Sequence, residues 1–398
     1  MSAPSRPPVP GVNVIGQFRA ESGIGEAARS VVAALDAVGM PVLPALPPET
    51  SPSRQGVAFD VVPLSKATFP VTLSLLTAYE TGPLVAAAPD HITRGQLVGL
   101  WWWEVEDLPD FMAEAFAHVD AVWAGTEHVQ RALARSAGDT PVDRIRYAVR
   151  RPEPTGVDRE ALGLPTDGCL FLTLFGFYSA MARKNPQGTI AAFVRAFPRA
   201  EPGGPQLVVK VIDEDAHPAE LAALEALIAP HPHVHLLTGY RDRSGIDDLL
   251  AAADVVVSLH RAEGFGYAPA EAMALGRTAL ATGYSGNLDY MNAENSVLVP
   301  AEVVPIGPEG APYPAESRWA EPDLAAAADA MRQLAADPAR RAALGAHAAA
   351  DMAAGFTDRA AGESILAALA RLPETPARPS WWARRRADRL AAELRRTR

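Results

Sequence analysis

Val255-Val-Val-Ser-Leu-His-Arg-Ala-Glu-Gly-Phe-Gly-Tyr-Ala-Pro-Ala-Glu-Ala-Met-Ala-Leu-Gly276 reads as a short apolar strand (255–259), a glycine loop, and a helix (about 268–275) that a further glycine stops. A strand apolar on both faces that feeds a helix is the repeating unit of a parallel sheet covered on both sides. Working outward, the same alternation continues: strands at 170–175, 207–212, 234–238, 278–282 and 297–299, with helices at 186–196, 219–228 and 246–253. Upstream, a strand at 12–17 and a helix at 23–38 are followed by apolar runs at 71–76, 97–103, 121–124 and 145–149. The chain is 398 residues long, which suits two domains. The stretch 150–158, with Pro152, Pro154 and Gly156 among charged residues, has the composition of a linker. The expected organisation is an α/β protein of two Rossmann-like domains, 1–158 and 159–350, whose parallel sheets face an interdomain cleft. Helices at 351–398 are expected to pack back on the first domain and end in a basic tail.

In open parallel sheets ligands sit beyond the carboxyl ends of the strands, so the loops that follow strands carry the chemistry. Gly264 and Gly266 let backbone approach a ligand closely, and the N–H groups at the start of the next helix favour a diphosphate. Glu263 stands before the turn and Glu271 lies within the helix. Two carboxylates so spaced can hold opposite ends of one extended ligand, a sugar at one end and a ribose at the other. The alternative is a helix cap plus a solvated glutamate. A second strand–loop–helix stretch, Phe175-Gly-Phe-Tyr-Ser-Ala-Met-Ala-Arg-Lys-Asn-Pro-Gln-Gly188, places Arg183 and Lys184 just before a helix. An ammonium there can face the phosphates and stabilise charge growing on a departing nucleotide. In isolation the pair could equally be solvated surface. A third, Gly16 to Arg29, carries Gly23, Gly25 and Ala28 in G-x-G-x-x-A spacing. Its glycines start seven residues after Gly16, which fits a loop closing over a sugar-phosphate better than a tight dinucleotide turn, with simple helix-start glycines as the rival.

Composition narrows the function. The net charge of −11 argues against a nucleic-acid partner, which requires a broad positive field. The lone Cys169, in an apolar run, can form neither an internal disulfide nor a thiolate cluster and suits a buried position. The Asp213-Glu-Asp215 cluster suits a solvated loop rather than a metal site. No apolar leader core or span of 18 uncharged apolar residues is present, so a cytoplasmic protein is expected. The tail from 377 to 398 holds eight arginines against Asp388 and Glu393, and Trp381 and Trp382 lead it. Such a segment could touch an anionic membrane surface, lie solvated, or dock on the acidic body.

Arg183-Lys-Asn-Pro186, Glu263-Gly-Phe-Gly266 with Glu271, and Ala281-Thr-Gly-Tyr-Ser-Gly-Asn-Leu-Asp289 resemble the signatures of the retaining glycosyltransferases of family 4 (glycosyl transferases group 1), which have the GT-B fold. The resemblance is strongest from 174 to 300. It implies a hexosyltransferase that uses a nucleotide-diphosphate sugar, GDP-mannose or a UDP-sugar, as substrate and needs neither cofactor nor metal. Lys184 and Glu263 would be the catalytic residues, on the diphosphate and the sugar hydroxyls. Gly23, Gly25, Arg183, Gly264, Phe265, Gly266 and Glu271 would line the donor, with Glu271 on the ribose. Many relatives carry an arginine about six residues before the lysine, where this chain has Phe177, Tyr178 and Ser179; Arg261 or Lys210 is a candidate substitute. Relatives also carry a histidine near the reacting centre, and the corresponding Trp101-Trp-Trp-Glu-Val-Glu106 has none. Indole faces and carboxylates suit a glycan or lipid-linked acceptor, so Trp103 and Glu104 are assigned to it, with core packing the competing reading. An epimerase or phosphorylase on the same fold, or a non-catalytic partner protein, are the alternative functions.

Overall fold

The computed structural model describes residues 10–373. The chain divides into two compact units. The first comprises residues up to Trp103, Leu108–Tyr147 and the chain from Asp358; the second comprises Glu104–Asp107 and Ala148–Thr357. The chain therefore crosses between units at 103/104, 107/108, 147/148 and 357/358, where composition suggests boundaries at 158 and 350.

The first unit holds six parallel strands, β1 (Val12–Gly16), β2 (Val42–Ala45), β3 (Val71–Leu75), β4 (Gln96–Leu100), β5 (Ala121–Ala124) and β6 (Val142–Arg144), in the order β2-β1-β3-β4-β5-β6, of which β1, β3, β4 and β5 follow the apolar runs. β1, β3, β4 and β5 are buried throughout. The helix Gly23–Ala37 packs on the helix Asp358–Leu369. Two features differ from the sequence expectation. Strand β2 is not part of it, because Val-Leu-Pro-Ala is short and carries Pro44, which is tolerated at this sheet edge. Residues 145–149, apolar enough for a strand, instead run on past β6, and the Val149 N–H donates to the Phe356 carbonyl at 2.9 Å within the second unit.

The second unit holds β7 (Leu170–Gly176), β8 (Gln206–Ile212), β9 (Val234–Leu237), β10 (Val255–Ser258), β11 (Thr278–Thr282) and β12 (Val297–Val299), all parallel, ordered β12-β11-β10-β7-β8-β9. Phe171, Phe193, Leu207, Val209, Val255, Val257 and Leu280 fill one face of this sheet, and Leu170, Leu172, Val208, Leu250 and Val256 the other. Each such buried side chain contributes about 1.5–3 kcal/mol relative to exposure. The winding direction reverses between β7 and β10, which pair through Val255↔Phe171 and Val256↔Leu172. Loops after these two strands therefore diverge to opposite sides and open a crevice, the position where doubly wound sheets bind ligands. A further antiparallel pair, β13 (Ala301–Pro305) and β14 (Arg318–Pro322), also lies outside the sequence expectation, its polar residues lacking a continuous apolar run. The 150–158 stretch is fastened rather than loose. Asp247 accepts from Arg150 at 2.6 Å and from the Glu153 N–H at 2.8 Å, and Asp248 accepts from the Thr155 N–H at 2.6 Å.

Candidate active site

β7 and β10 deliver their loops side by side at the crevice. After β7 a single helical turn, Met181–Lys184, ends at Asn185, whose left-handed backbone (φ 53°) turns the chain into the helix Pro186–Ala196. Asn185 fixes that turn with its own side chain: Oδ1 accepts from the Gly188 N–H at 3.1 Å and Nδ2 donates to the Leu259 carbonyl at 2.9 Å. Across the crevice, Glu263 leaves the strand β10 loop. Lys184 Nζ lies 2.5 Å from Glu263 Oε1, and Arg183 Nη1 donates to Glu263 Oε2 at 3.1 Å and to the Ala262 carbonyl at 2.9 Å. Residues 79 and 80 positions apart thus share one buried carboxylate. Burial alone would raise the Glu263 carboxyl, but the charges of Lys184 and Arg183 overcome it and hold it at about 2. Burial and the neighbouring Arg183 push Lys184 below its ordinary value, although Glu263 pulls the other way. A crevice at this point is lined by Thr173, Phe175, Lys184, Ser258, Glu263 and Gly266.

Beyond Glu263 the loop enters the helix Tyr267–Ala274 through Gly266, whose φ of 90° a side chain would strain. The N-cap of this helix is Gly266, which has no side chain to cap it, and the helix's positive end faces the crevice. Phe265 is buried, its ring 5.1 Å from both Tyr267 and Tyr290, so it anchors the loop rather than offering a face to a ligand. The 281–289 stretch serves as the loop's brace. Ser285 Oγ accepts from the Glu263 N–H at 2.8 Å, the Gly286 N–H donates to the Glu263 carbonyl at 2.9 Å, and a Cβ on Gly286 would lie 2.1 Å from the Gly264 carbonyl oxygen.

His260, which no sequence motif singles out, is the hub of this brace. It is fully buried, with Nδ1 3.0 Å from the Ser258 carbonyl and Nε2 3.2 Å from both the Tyr284 carbonyl and Asn287 Oδ1. Burial lowers its pKa, outweighing the opposing pull of Glu263. Below about pH 6.5 the unfolded chain takes up this proton while the folded one resists it, so His260 makes stability fall with falling pH. Urea midpoints measured from roughly pH 7 to pH 5 should decline in the wild type and decline less in His260→Asn. Parallel declines in the two proteins would remove His260 from this role.

Glu271 is buried one helical stretch further on, and its carboxylate meets Arg243 at 2.7 Å; Arg243 also meets Asp247 at 2.7 Å. The two candidate stand-ins for the missing arginine are committed elsewhere. Arg261 binds Glu321 of β14 at 2.5 Å and stacks over Trp319, while Lys210 is buried and donates to the carbonyls of Val211 and Gly239. Asp213 and Glu214 brace the same region, accepting from the Tyr240 hydroxyl and the Gly239 N–H. Cys169 is partly buried and its thiol is pushed up to about 12 by burial. Among the described residues no group of three or more histidine, cysteine or carboxylate side chains is placed to hold a metal ion, and no helix is long and apolar enough to cross a membrane.

Gly23 and Gly25 belong to the first unit. Gly23 opens the helix Gly23–Ala37, and the Gly25 N–H is taken by the N-cap, Ser22 Oγ, at 3.4 Å. A Cβ on Gly25 would lie 2.2 Å from the Ala20 carbonyl oxygen, so tight loop packing already demands glycine there. Arg29 Nη1 donates to the Phe18 and Ala20 carbonyls of the same loop at 2.7 and 3.1 Å. In the tryptophan run, β4 ends at Leu100, and Trp101 and Trp103 are buried in the first unit while Trp102 packs on Tyr147. Trp103 therefore presents no open stacking face. Glu104 belongs to the second unit, where it meets Arg183 at 3.6 Å and accepts from the Tyr313 hydroxyl at 3.1 Å, so its carboxylate is engaged by protein groups. The basic tail, 377–398, lies outside the described residues.

Residues 173–306 match the family model described as glycosyl transferases group 1. No curated protein matches the chain by sequence. Among solved structures, the chain is similar to Anabaena HepE in complex with UDP-glucose, with a TM-score of 0.64 and 16% identity over 91% of this chain and 100% of that one. It is similar to sucrose-phosphate synthase from Thermosynechococcus elongatus, with a TM-score of 0.66 and 19% identity over 91% and 98%. A glycosyltransferase from Rickettsia africae aligns with a TM-score of 0.61 and 13% identity over 91% and 97%. At such identities the likeness establishes the fold, which is GT-B.

Proposed function

We propose that this chain, with a group 1 glycosyltransferase module at 173–306 on the GT-B fold, transfers a hexose from a UDP-sugar to a hydroxyl of a glycan or lipid-linked acceptor. Transfer proceeds with retention at the anomeric carbon and without a metal ion. The observation that carries this reading is the Lys184–Glu263 pair at the point where the second sheet reverses, beside the helix that starts at Tyr267 after the glycine N-cap Gly266. Such a site offers an ammonium and oriented amides to a diphosphate and a carboxylate to sugar hydroxyls. The binding of UDP-glucose by HepE supports UDP over GDP as the carrier.

In a retaining transfer the acceptor oxygen bonds to C1 on the face from which the nucleotide departs, the bond between C1 and the phosphate oxygen breaks, and the acceptor's proton passes to a donor phosphate oxygen. Negative charge grows on the leaving diphosphate, and Lys184 with the helix amides is placed to stabilise it, the contribution expected to dominate. Those groups take the neutralising role that a metal would otherwise fill, so transfer should persist in chelator. Glu263 accepts from the sugar, and Glu271 from the ribose.

A ligand that binds only the folded chain raises its melting temperature. In a thermal-shift screen of UDP, GDP and ADP, UDP is expected to stabilise most, and UDP-hexoses to turn over when acceptors are supplied. Stabilisation by none of them would overturn the donor assignment; binding without hydrolysis or transfer would favour a non-catalytic member of the fold.

A further inference from the structure

Arg183 stands among the residues that the sequence assigns to the donor, yet its guanidinium is turned elsewhere. It is only 4% exposed. One Nη1 bond goes to Glu263 Oε2 and another to the Ala262 carbonyl, while Nη2 lies 3.6 Å from Glu104 Oε1. Glu104 is itself fixed from two directions. The Tyr313 hydroxyl donates to its Oε2 at 3.1 Å, and the residues that follow it are tied down: the Tyr284 hydroxyl donates to Glu106 Oε1 at 3.1 Å, and the Asp107 N–H donates to Ser317 Oγ at 3.1 Å. Backbone bonds hold the arginine's own turn, with the Arg261 N–H donating to the Arg183 carbonyl at 2.8 Å and Arg261 Nη1 to the Ala182 carbonyl at 2.5 Å. The result is a line of alternating charge, Glu104, Arg183, Glu263, Lys184, in which each inner member has a neighbour on both sides.

We infer that Arg183 is the resident counter-ion of Glu263, which leaves Lys184 able to turn to the donor's diphosphate, and that Glu104, with Tyr313, is the residue that positions Arg183 for this. The consequence is physical. When Lys184 engages phosphate, Glu263 would otherwise become a buried carboxylate without a cation, a costly state. Arg183 prevents that, provided it approaches Glu263 through Nη1 alone. Glu104 secures this by drawing Nη2 away; without its charge, the guanidinium fork would close on both oxygens of Glu263, displace Lys184 and occupy the oxygens needed by sugar hydroxyls. Arg183 and Glu104 are positioning residues, neither touching the donor. The inference rests on the donor assignment proposed above, and the test has an arm that does not.

Glu104→Gln keeps an acceptor for Tyr313 and removes only the charge. It should retain UDP affinity within about threefold while turnover falls about tenfold, and Glu104→Asp should recover part of the loss. A purely structural role would instead weaken UDP binding in step with turnover, and that outcome, or wild-type turnover, overturns the inference. The second arm needs no donor. Urea midpoints for Glu104→Gln, Arg183→Gln and the double variant should show the double no less stable than Arg183→Gln alone, because the glutamate's contribution acts through the arginine. Fully additive losses sink the proposal, whatever the donor proves to be. Should Glu104→Gln fail to fold, Tyr313→Phe carries the same readouts with smaller shifts in the same sense. If the wild type binds no nucleoside diphosphate, the transferase reading fails and the urea cycle still decides this one.

Discussion

Glu263→Gln will lower the melting temperature and abolish most transfer, the largest combined effect expected of a single substitution in this protein. Its carboxylate lies between Lys184, at 2.5 Å, and Arg183, at 3.1 Å, with the residue 7% exposed. Removing one partner of a buried ion pair leaves an uncompensated charge and costs about 3–5 kcal/mol, and here two cations lose their shared anion. For a unit of this size each kcal/mol is worth roughly 2–4 °C, so calorimetry should record a fall of about 6 °C or more. The loss carries a pH signature. The carboxyl is held at about 2 in the folded chain, below its ordinary value near 4.3, so its stabilisation is complete above about pH 4.3 and disappears as pH falls toward 2. The melting curves of wild type and Glu263→Gln should therefore converge with acid. A constant gap down to pH 2 would show that the substitution acts through packing and not through charge. Transfer should fall at least roughly tenfold, about 1.4 kcal/mol of transition-state stabilisation, since a glutamine amide cannot accept from sugar hydroxyls as a carboxylate does.

Lys184→Ala separates the chemistry from the fold. Transfer should fall at least roughly tenfold through loss of the cation proposed to face the leaving diphosphate. Stability should suffer less than in Glu263→Gln, because Arg183 still neutralises Glu263 and the cost of burying an ammonium disappears with it. Single-turnover kinetics would place the loss in the chemical step, and UDP titration would measure any accompanying loss of affinity. Near-wild-type turnover in both Lys184→Ala and Glu263→Gln would defeat the assignment of the site.

Both residues are legible in the sequence because their signals are local. The alternation of apolar runs with helical spacing marks the strands, and glycines immediately after a strand mark the loop. The same logic fails where locality ends. Residues 145–149 have the apolar character of a strand, but only the Ile145 N–H reaches β5, at the Ala124 carbonyl, and the chain passes to the second unit after Tyr147. Arg261 and Lys210 have the look of spare cations; one is claimed by β14, the other by carbonyls from β8 and the turn after β9. His260 has no motif of its own, and its importance lies in partners 24 and 27 residues away that fold over it.

The sequence alone determined that this protein is built of strand–loop–helix units in parallel sheets, and that one such unit carries Glu263, Gly264 and Gly266 on its loop and Glu271 on its helix, beyond the carboxyl end of a strand. Periodicity and glycine spacing suffice for that, because burial and turn geometry are properties of neighbouring residues. Only the tertiary structure decided that β10 lies beside β7, which brings Lys184 and Arg183 to one carboxylate, and that Glu104 leaves the tryptophan run to oppose Arg183. Charge pairing depends on distance in space, and sheet order, which no local pattern encodes, sets that distance.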